Sequence, residues 1–470
     1  MLDYPIYVAG ELQSSPLLLN VTNPYTGEVF ARTYNATQGQ YEEAVKRALA
    51  VKKQMAEMPA FERYKALRYI SDTITATRQH LAEILCAESG KPMHYALGEV
   101  DRAAQTFLIA AEEAKRLPKE YISIDWTPSG AKKEGMVKYF PVGIVAGITP
   151  FNFPINLVAH KVAPALAAGC PIILKPASSV PLSSLELAKI IAHTSYPKGA
   201  FSVLPMDRKN GNQLVTDERI NLLSFTGSDV VGWEMKKNAG KKKVVLELGG
   251  NAAVIISSSA DLQDACKKAL VAGFSYSGQV CIHAQRFYIH HDLFEKFASE
   301  FIQSVETLQF GDPKDPSTDV SVMIDQANAD RVETWVNEAV KQGAKVLCGG
   351  KKKGGFYEPT VLTHVREEMK VCSEEIFGPV VTFEKFTTFE EAVDKVNSAR
   401  FGLQASVFTN SIIEMETAFN QLEVGGVVIN DMPTFRADHM PYGGIKDSGL
   451  GREGVRYAIM EMMEPRILIK

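Results

Sequence analysis

The chain is short of the features that mark most specialised protein classes. Only six cysteines occur in 470 residues (Cys86, Cys170, Cys266, Cys281, Cys348 and Cys372), widely spaced and with no Cys-x-x-Cys pair. A chain this long needs no disulfide staples, so free thiols in a reducing compartment are expected. An excess of one charge is also missing: 51 Lys and Arg face 55 Asp and Glu, for a net charge of −4 with both signs interspersed. That removes the basic footprint expected for nucleic acid or an anionic membrane. No apolar run is long enough for a bilayer, since the longest, Val162 to Leu174, is broken by Pro164 and Pro171. The start, MLDYPIYVAG, has an early acid and no basic stretch ahead of an apolar one, so no signal peptide is read there. Repeats and low-complexity segments are lacking. The nine histidines show no metal spacing, with Cys281 and His283 merely alternating and His290 and His291 merely adjacent, so no metal is expected. What these absences leave is a cytoplasmic globular protein, and 46% apolar and 23% charged residues fit one. Its length predicts two or three domains.

What is present is an alternation. A capping box at Thr37 and Gln40 opens a helix with apolar Tyr41, Ala44, Val45, Ala48 and Leu49, and further helical patterns run near 61–87 and 96–116. From Ile122 to Phe140 the residues alternate around a Pro-Ser-Gly turn, which predicts a β-hairpin standing apart. From Val142 to Gly250 strands are expected at 143–149, 172–175, 201–204, 222–225 and 244–248, with helices near 155–168, 182–194, 209–216 and 229–238. This rhythm is that of a doubly wound parallel α/β sheet, in which ligands gather at the carboxyl ends of the strands. A second α/β pattern runs from about 251 to 421. The terminal PRILIK reads as a strand with an edge free to pair with another subunit.

Chemistry-bearing residues fall just past the strand ends. PFNFP supplies Asn152, KPASS supplies Lys175 and Ser178, FTGS supplies Gly227 and Ser228, and ELGGN supplies Glu247. Four polar or glycine-rich sets on one edge of one sheet define a site. Cys281, in SYSGQVCIHAQR, follows Glu247 by 34 residues in a small-residue loop between a helix and a strand. A cysteine at such a boundary presents a thiol to a cleft, although an arbitrary cysteine is more often a small buried filler.

The strings TPFNFP, LKPAS, FTGS, LELGGN, SGQVC, EEIFGP and PYGGIKDSGLGREG, with ESGKP at Glu88–Pro92, occur in an order and spacing that resemble the aldehyde dehydrogenase superfamily. The resemblance implies a thiohemiacetal on Cys281, an oxyanion held by the Asn152 side chain and the Cys281 backbone N–H, and a thioester hydrolysed with Glu247 as general base. It implies NAD or NADP as cofactor. Lys175 would contact the adenosine ribose, Glu375 the nicotinamide ribose, and Gly227, Ser228 and Gly232 would form a helix start suited to the pyrophosphate. Relatives preferring NAD often carry Glu three residues after the KP lysine. Ser178 stands there instead, which removes a charge that repels a 2′-phosphate, so NADP acceptance is expected.

The loop MPTFRADHMPYGG resembles branches acting on lactaldehyde, on glyceraldehyde 3-phosphate without phosphorylation, and on related small polar aldehydes, with succinate semialdehyde among the alternatives. Arg102 and Arg436 are the candidate substrate contacts, Arg102 reading equally well as part of a salt-bridged helix face. Val280, where phosphate-binding members often place Arg, favours a small hydroxyaldehyde over a phosphorylated one. The implied architecture is a cofactor domain (1–120 and 141–247, returning near 426–454), a catalytic domain (248–425) and an oligomerisation extension (121–140 with 455–470) giving a homodimer or homotetramer. Two rivals are an acylating enzyme that passes the thioester to coenzyme A, which usually lacks the glutamate, and a non-catalytic ligand-binding descendant, which would lose Cys281, Asn152 or Glu247. A thiol redox sensor would need a resolving cysteine beside Cys281.

Overall fold

A computed structural model describes residues 2–470. The alternation between Val142 and Gly250 folds as expected. Strands Val145–Ile148, Ile172–Lys175, Phe201–Val203, Leu222–Thr226 and Lys243–Glu247 form the parallel centre of an eight-stranded sheet. Antiparallel pieces from distant parts of the chain close its edges, Ile6–Val8 with Glu11–Gln13 on one side and Gly449–Leu450 on the other. Successive side chains bury on opposite faces: Val145, Ile172, Leu174 and Leu222 in one core, and Ala146, Ile148, Ile173 and Leu223 in another. Cover on both faces is why these strands read as nearly continuous apolar runs.

The Val162–Leu174 run resolves into three pieces. Helix Asn156–Ala168 is buried along its whole length and ends at Gly169, whose left-handed φ of 89° turns the chain toward strand Ile172–Lys175. The Thr37 capping box is formed, with Thr37 Oγ1 accepting from the Gln40 N–H at 3.3 Å and Gln40 Oε1 from the Thr37 N–H at 3.0 Å. The segment expected as one helix near 209–216 is two short turns, Arg208–Gly211 and Gln213–Thr216, meeting at Asn212.

A second sheet has seven strands, all parallel except the antiparallel edge Lys345–Cys348. Its strand Ala253–Ile256 lies between Arg286–His290 and Gln404–Phe408. Strand Gly426–Ile429 requires a correction: placed by sequence with the segment returning to the first sheet, it pairs in parallel with Gln404–Phe408 at the edge of the second. Its apolar GVVI side chains find cover there beside Leu422 and Val424, and only Gly449–Leu450 reaches back to the first sheet. A third sheet joins Lys119–Ser123, Glu134–Pro141 and the terminal strand Met463–Ile469, all antiparallel. Among the described residues no helix is long and apolar enough to cross a membrane.

Candidate active site

The carboxyl ends of the first sheet open onto a cleft of about 340 Å³, whose lining includes Asn152, Gly227, Ser228, Glu247, Cys281 and Glu375. Glu247 ends its strand in register with Thr226 on one side and Gly449 on the other, so its carboxylate is carried in at 3% exposure. Neither carboxylate oxygen has a hydrogen-bond partner in the protein. Burial, followed by the nearby charge of Glu453, raises its pKa well above the carboxylate range.

Cys281 is delivered by a strained turn. Helix Leu262–Phe274 runs into Tyr276 and Ser277, both left-handed at φ 47° and 54°. Such backbone is costly for non-glycine residues and persists only where contacts hold it. Here Tyr276 Oη donates to the Ser89 carbonyl at 3.0 Å and Ser277 Oγ to the Ser321 carbonyl at 2.7 Å. The Cys281 sulfur lies 3.4 Å from Tyr442 Oη. Burial pushes its thiol up to about 11, against the opposing pull of the Tyr442 hydroxyl. The thiol form therefore dominates at neutral pH. Alkylation of dinucleotide-free protein by iodoacetamide is expected to rise about tenfold per pH unit to about pH 10; a plateau at or below about pH 9 would contradict this environment.

Asn152 is buried, and its side-chain amide donates one N–H to the Gln279 carbonyl at 3.0 Å, which leaves the second for a ligand. Behind the pocket lies a network that the sequence reading missed. Lys161 Nζ donates to Thr226 Oγ1 at 2.8 Å and Ser224 Oγ at 3.1 Å, and pairs with Glu453 at 3.3 Å. Arg436 pairs with Glu453 at 2.9 Å and stacks over the Tyr442 ring. Burial works against the Glu453 charge, but Lys161 and Arg436 outweigh it and hold that carboxyl at about 2. Glu453 and Tyr442 stand inside the PYGGIKDSGLGREG string, the one signal that pointed to them.

The other candidates divide. Gly227 and Ser228 line the cleft, Ser228 as the residue preceding helix Asp229–Asn238. Gly232 lies outside this cleft's lining, and a Cβ there would lie 2.4 Å from Leu248, so this glycine lets the helix pack on the sheet. Glu375 accepts from the Gly250 N–H at 3.1 Å, and burial pushes its carboxyl up to about 8. Gly249 leaves it room, since a Cβ there would lie 2.3 Å from the carboxylate. Lys175 ends its strand and Ser178 follows it, on the same sheet edge but outside this cleft's lining. Lys175 has only a 3.5 Å contact with the Pro176 carbonyl and, among the described residues, no carboxylate at ion-pair distance; Ser178 Oγ donates to the Met206 carbonyl at 3.3 Å. Arg436 reaches the neighbourhood of Cys281 through Tyr442. Arg102 forks onto Asp438 at 2.6 and 3.3 Å, and the same carboxylate receives His160 at 2.8 Å. All six cysteines are free, and Cys281 alone lines the cleft, so no resolving partner stands beside it.

A lysine without a counter-ion at one strand end, with Ser178 three residues on, supplies the donors that a phosphorylated ribose requires, and a carboxylate lining the cleft near the thiol supplies the acceptor that a ribose diol requires. The residues present fit a nicotinamide dinucleotide.

Known proteins agree with this arrangement. The aldehyde dehydrogenase family model matches residues 12–468. A 3-sulfolactaldehyde dehydrogenase of Priestia megaterium is 42% identical over 468 residues, covering 99% of this chain and 98% of that one. The crystal structure of aldehyde dehydrogenase 21 from Physcomitrella patens, in complex with the reaction product succinate, superposes with a TM-score of 0.98 at 44% identity, covering 100% of this chain and 98% of that one. Glyceraldehyde-3-phosphate dehydrogenase GapN from Methanocaldococcus jannaschii, complexed with NADP, gives 0.93 at 39% identity, covering 96% and 98%. The chain belongs to the aldehyde dehydrogenase family and is an NAD(P)-dependent oxidoreductase that converts an aldehyde to its acid.

Proposed function

We propose that the aldehyde is a short hydroxyaldehyde of the lactaldehyde type, oxidised through a thioester on Cys281. Cys281 loses its thiol proton to solvent, and the thiolate adds to the aldehyde carbon, forming the C–S bond as the carbonyl π pair moves onto oxygen. The free N–H of Asn152 and the Cys281 backbone N–H are the donors for that oxyanion. When bound, the dinucleotide supplies the hydride acceptor that turns the thiohemiacetal into a thioester. Glu247, in its ionised form, then takes a proton from a water, which attacks the thioester carbon and returns the electron pair to Cys281 sulfur, releasing the acid. The unpartnered carboxylate oxygens of Glu247 support this role, because nothing in the protein competes for them. In this reading the first sheet carries the dinucleotide and the second carries the nucleophile loop.

The observation that carries the substrate class is the state of the two arginines. Arg102 is neutralised by Asp438 and Arg436 by Glu453, so neither of the two candidate arginines is left as a free fork for a dianionic phosphate. A hydroxyl asks less of such a site. The buried Nε of Arg436 is without a partner, which favours as a second reading a hydroxyaldehyde with a singly charged far end. The similarity to a 3-sulfolactaldehyde dehydrogenase supports both. Reduced-nicotinamide formation with lactaldehyde, 3-sulfolactaldehyde, succinate semialdehyde and glyceraldehyde 3-phosphate tests this. The hydroxyaldehydes are expected to lead the phosphorylated substrate by about tenfold or more in kcat/KM; a lead for glyceraldehyde 3-phosphate would overturn the reading.

NADP is the favoured dinucleotide. Lys175 without a counter-ion, and Ser178 in place of a carboxylate, support a 2′-phosphate at that position. Ser178→Glu is expected to lower kcat/KM with NADP by about tenfold or more while sparing NAD, because like charges juxtaposed in a binding site cost several kcal/mol. Equal losses with the two cofactors would contradict this.

We also infer assembly with copies of the same chain, as a dimer or tetramer. Six of the seven residues of Met463–Ile469 are exposed, and the strand is paired on one side only. Its third sheet also exposes Tyr121, Ile467, Leu468 and Ile469, an apolar edge of the kind that a second copy covers. Free thiols throughout fit the cytoplasm.

A further inference from the structure

The ESGKP segment is left without a part in the chemistry above, yet every charged group in it is buried. Glu88 and Lys91 are both 0% exposed. The Glu88 carboxylate accepts the N–H groups of Leu182 at 2.8 Å and Ser183 at 3.1 Å, holding the start of the helix that follows the KPASS loop. The Ser89 carbonyl receives Tyr276 Oη from the strained turn ahead of Cys281. Lys91 crosses to the third loop: its ammonium pairs with Glu99 and donates to the Asn152 backbone carbonyl at 2.7 Å. Its remaining face lies against two rings, 4.0 Å from the centre of Phe153 and 4.5 Å from that of Tyr276. Glu99 in turn accepts the N–H groups of Ile155 at 3.0 Å and Asn156 at 3.2 Å, at the far end of the same loop.

We propose that Lys91, braced by Glu99, is the positioning residue for the oxyanion site: it grips the Asn152 peptide from behind and so aims the Asn152 side-chain amide at the aldehyde oxygen. The inference rests on the reading of Asn152 given above. A buried ion pair is a poor device for stability alone, since well-packed apolar residues do as well or better. Here the pair has a geometric product. Lys91 and Glu99 clamp the loop at Asn152 and at Ile155–Asn156, and Lys91 packs on the ring of Tyr276 in the turn leading to Cys281. The amide of Asn152 already spans to Gln279 on that turn, so the two donor-bearing loops are fixed relative to each other from both sides. Donors aimed at a developing charge act only when held in place beforehand, and small misplacements are expensive in rate.

The test is a double-mutant cycle on the full chain, with lactaldehyde as substrate. Asn152→Ala is expected to lower kcat by about 10²–10³-fold. Lys91→Met is expected to lower kcat by about 30-fold or more, to leave the aldehyde KM and NADP affinity within about threefold, and to add almost nothing when combined with Asn152→Ala. A purely structural lysine would show losses that multiply in the double variant, and that result, or a wild-type kcat in Lys91→Met, overturns the proposal. Should Lys91→Met not fold, Glu99→Gln keeps the shape and an acceptor oxygen while removing the charge. Its kcat loss of about tenfold should likewise vanish in the Asn152→Ala background, and a multiplicative or absent effect overturns the proposal. An unimpaired Asn152→Ala removes the oxyanion reading itself and this inference with it; an impaired Asn152→Ala beside an unimpaired Lys91→Met removes this inference only.

Discussion

Cys281→Ser is expected to lose aldehyde-dependent reduction of NAD(P) by at least about 10⁴-fold, the scale on which removing a covalent nucleophile acts. An aldehyde is a poor hydride donor until its carbon is tetrahedral, and the sulfur makes it so. Serine keeps the shape but is far less acidic, and the site already disfavours charge strongly enough to push the thiol up to about 11. A less acidic hydroxyl would not ionise there. Cys281 is also the one cysteine in the cleft lining, so no neighbouring thiol can stand in for it. Folding should be unaffected, since the only side-chain hydrogen bond lost is a 3.4 Å contact with Tyr442. Initial rates together with a thermal melt check both halves; substantial dehydrogenase activity in a folded serine variant would sink the covalent route.

Glu247→Gln is expected to separate the two halves of the reaction. The first turnover, forming one equivalent of reduced nicotinamide per site, should survive. Steady-state turnover should fall by about 10²–10⁴-fold, because no base is left to activate water. Rapid-mixing absorbance resolves the burst from the slow phase, and a slow first turnover would show that Glu247 acts before the thioester forms. The sign of the accompanying stability change follows from its environment. Burial raises the Glu247 pKa in the folded state, so the folded protein binds a proton that the unfolded chain has released. That contribution is fully present below the unfolded carboxylate pKa and is lost as pH rises through the folded one. Glutamine has no such loss, so the variant should be at least as stable as the parent toward alkaline pH.

How far the sequence alone reached depends on chain distance and on the kind of contact. Asn152, Lys175, Gly227 and Glu247 were legible as one edge because each ends or follows a strand of a regular βα rhythm, and parallel strands put their carboxyl ends together. Cys281 was legible through the order of the motifs, not through its own neighbourhood. Gly232 was legible only as a glycine early in a helix, which suits both a phosphate and a close helix–sheet contact, and the second became visible only with Leu248 packed against it. Gly426–Ile429 misled because an apolar strand of four residues carries no mark of which sheet it joins. The contacts that support the site from behind were not legible, even where their residues stood in a motif. Lys161 reaches Glu453 across 292 residues and Lys91 reaches a backbone carbonyl 61 residues away. A hydrogen bond to a peptide oxygen leaves no side-chain signature at its acceptor.

The central claim is the acyl–sulfur bond. The measurement that reaches it most directly is peptide mass analysis of Glu247→Gln, quenched in acid during the burst with lactaldehyde and NADP. The account predicts an acyl adduct confined to the Cys281 peptide, in a yield matching the reduced nicotinamide formed. An unmodified Cys281 peptide beside a full burst would contradict it.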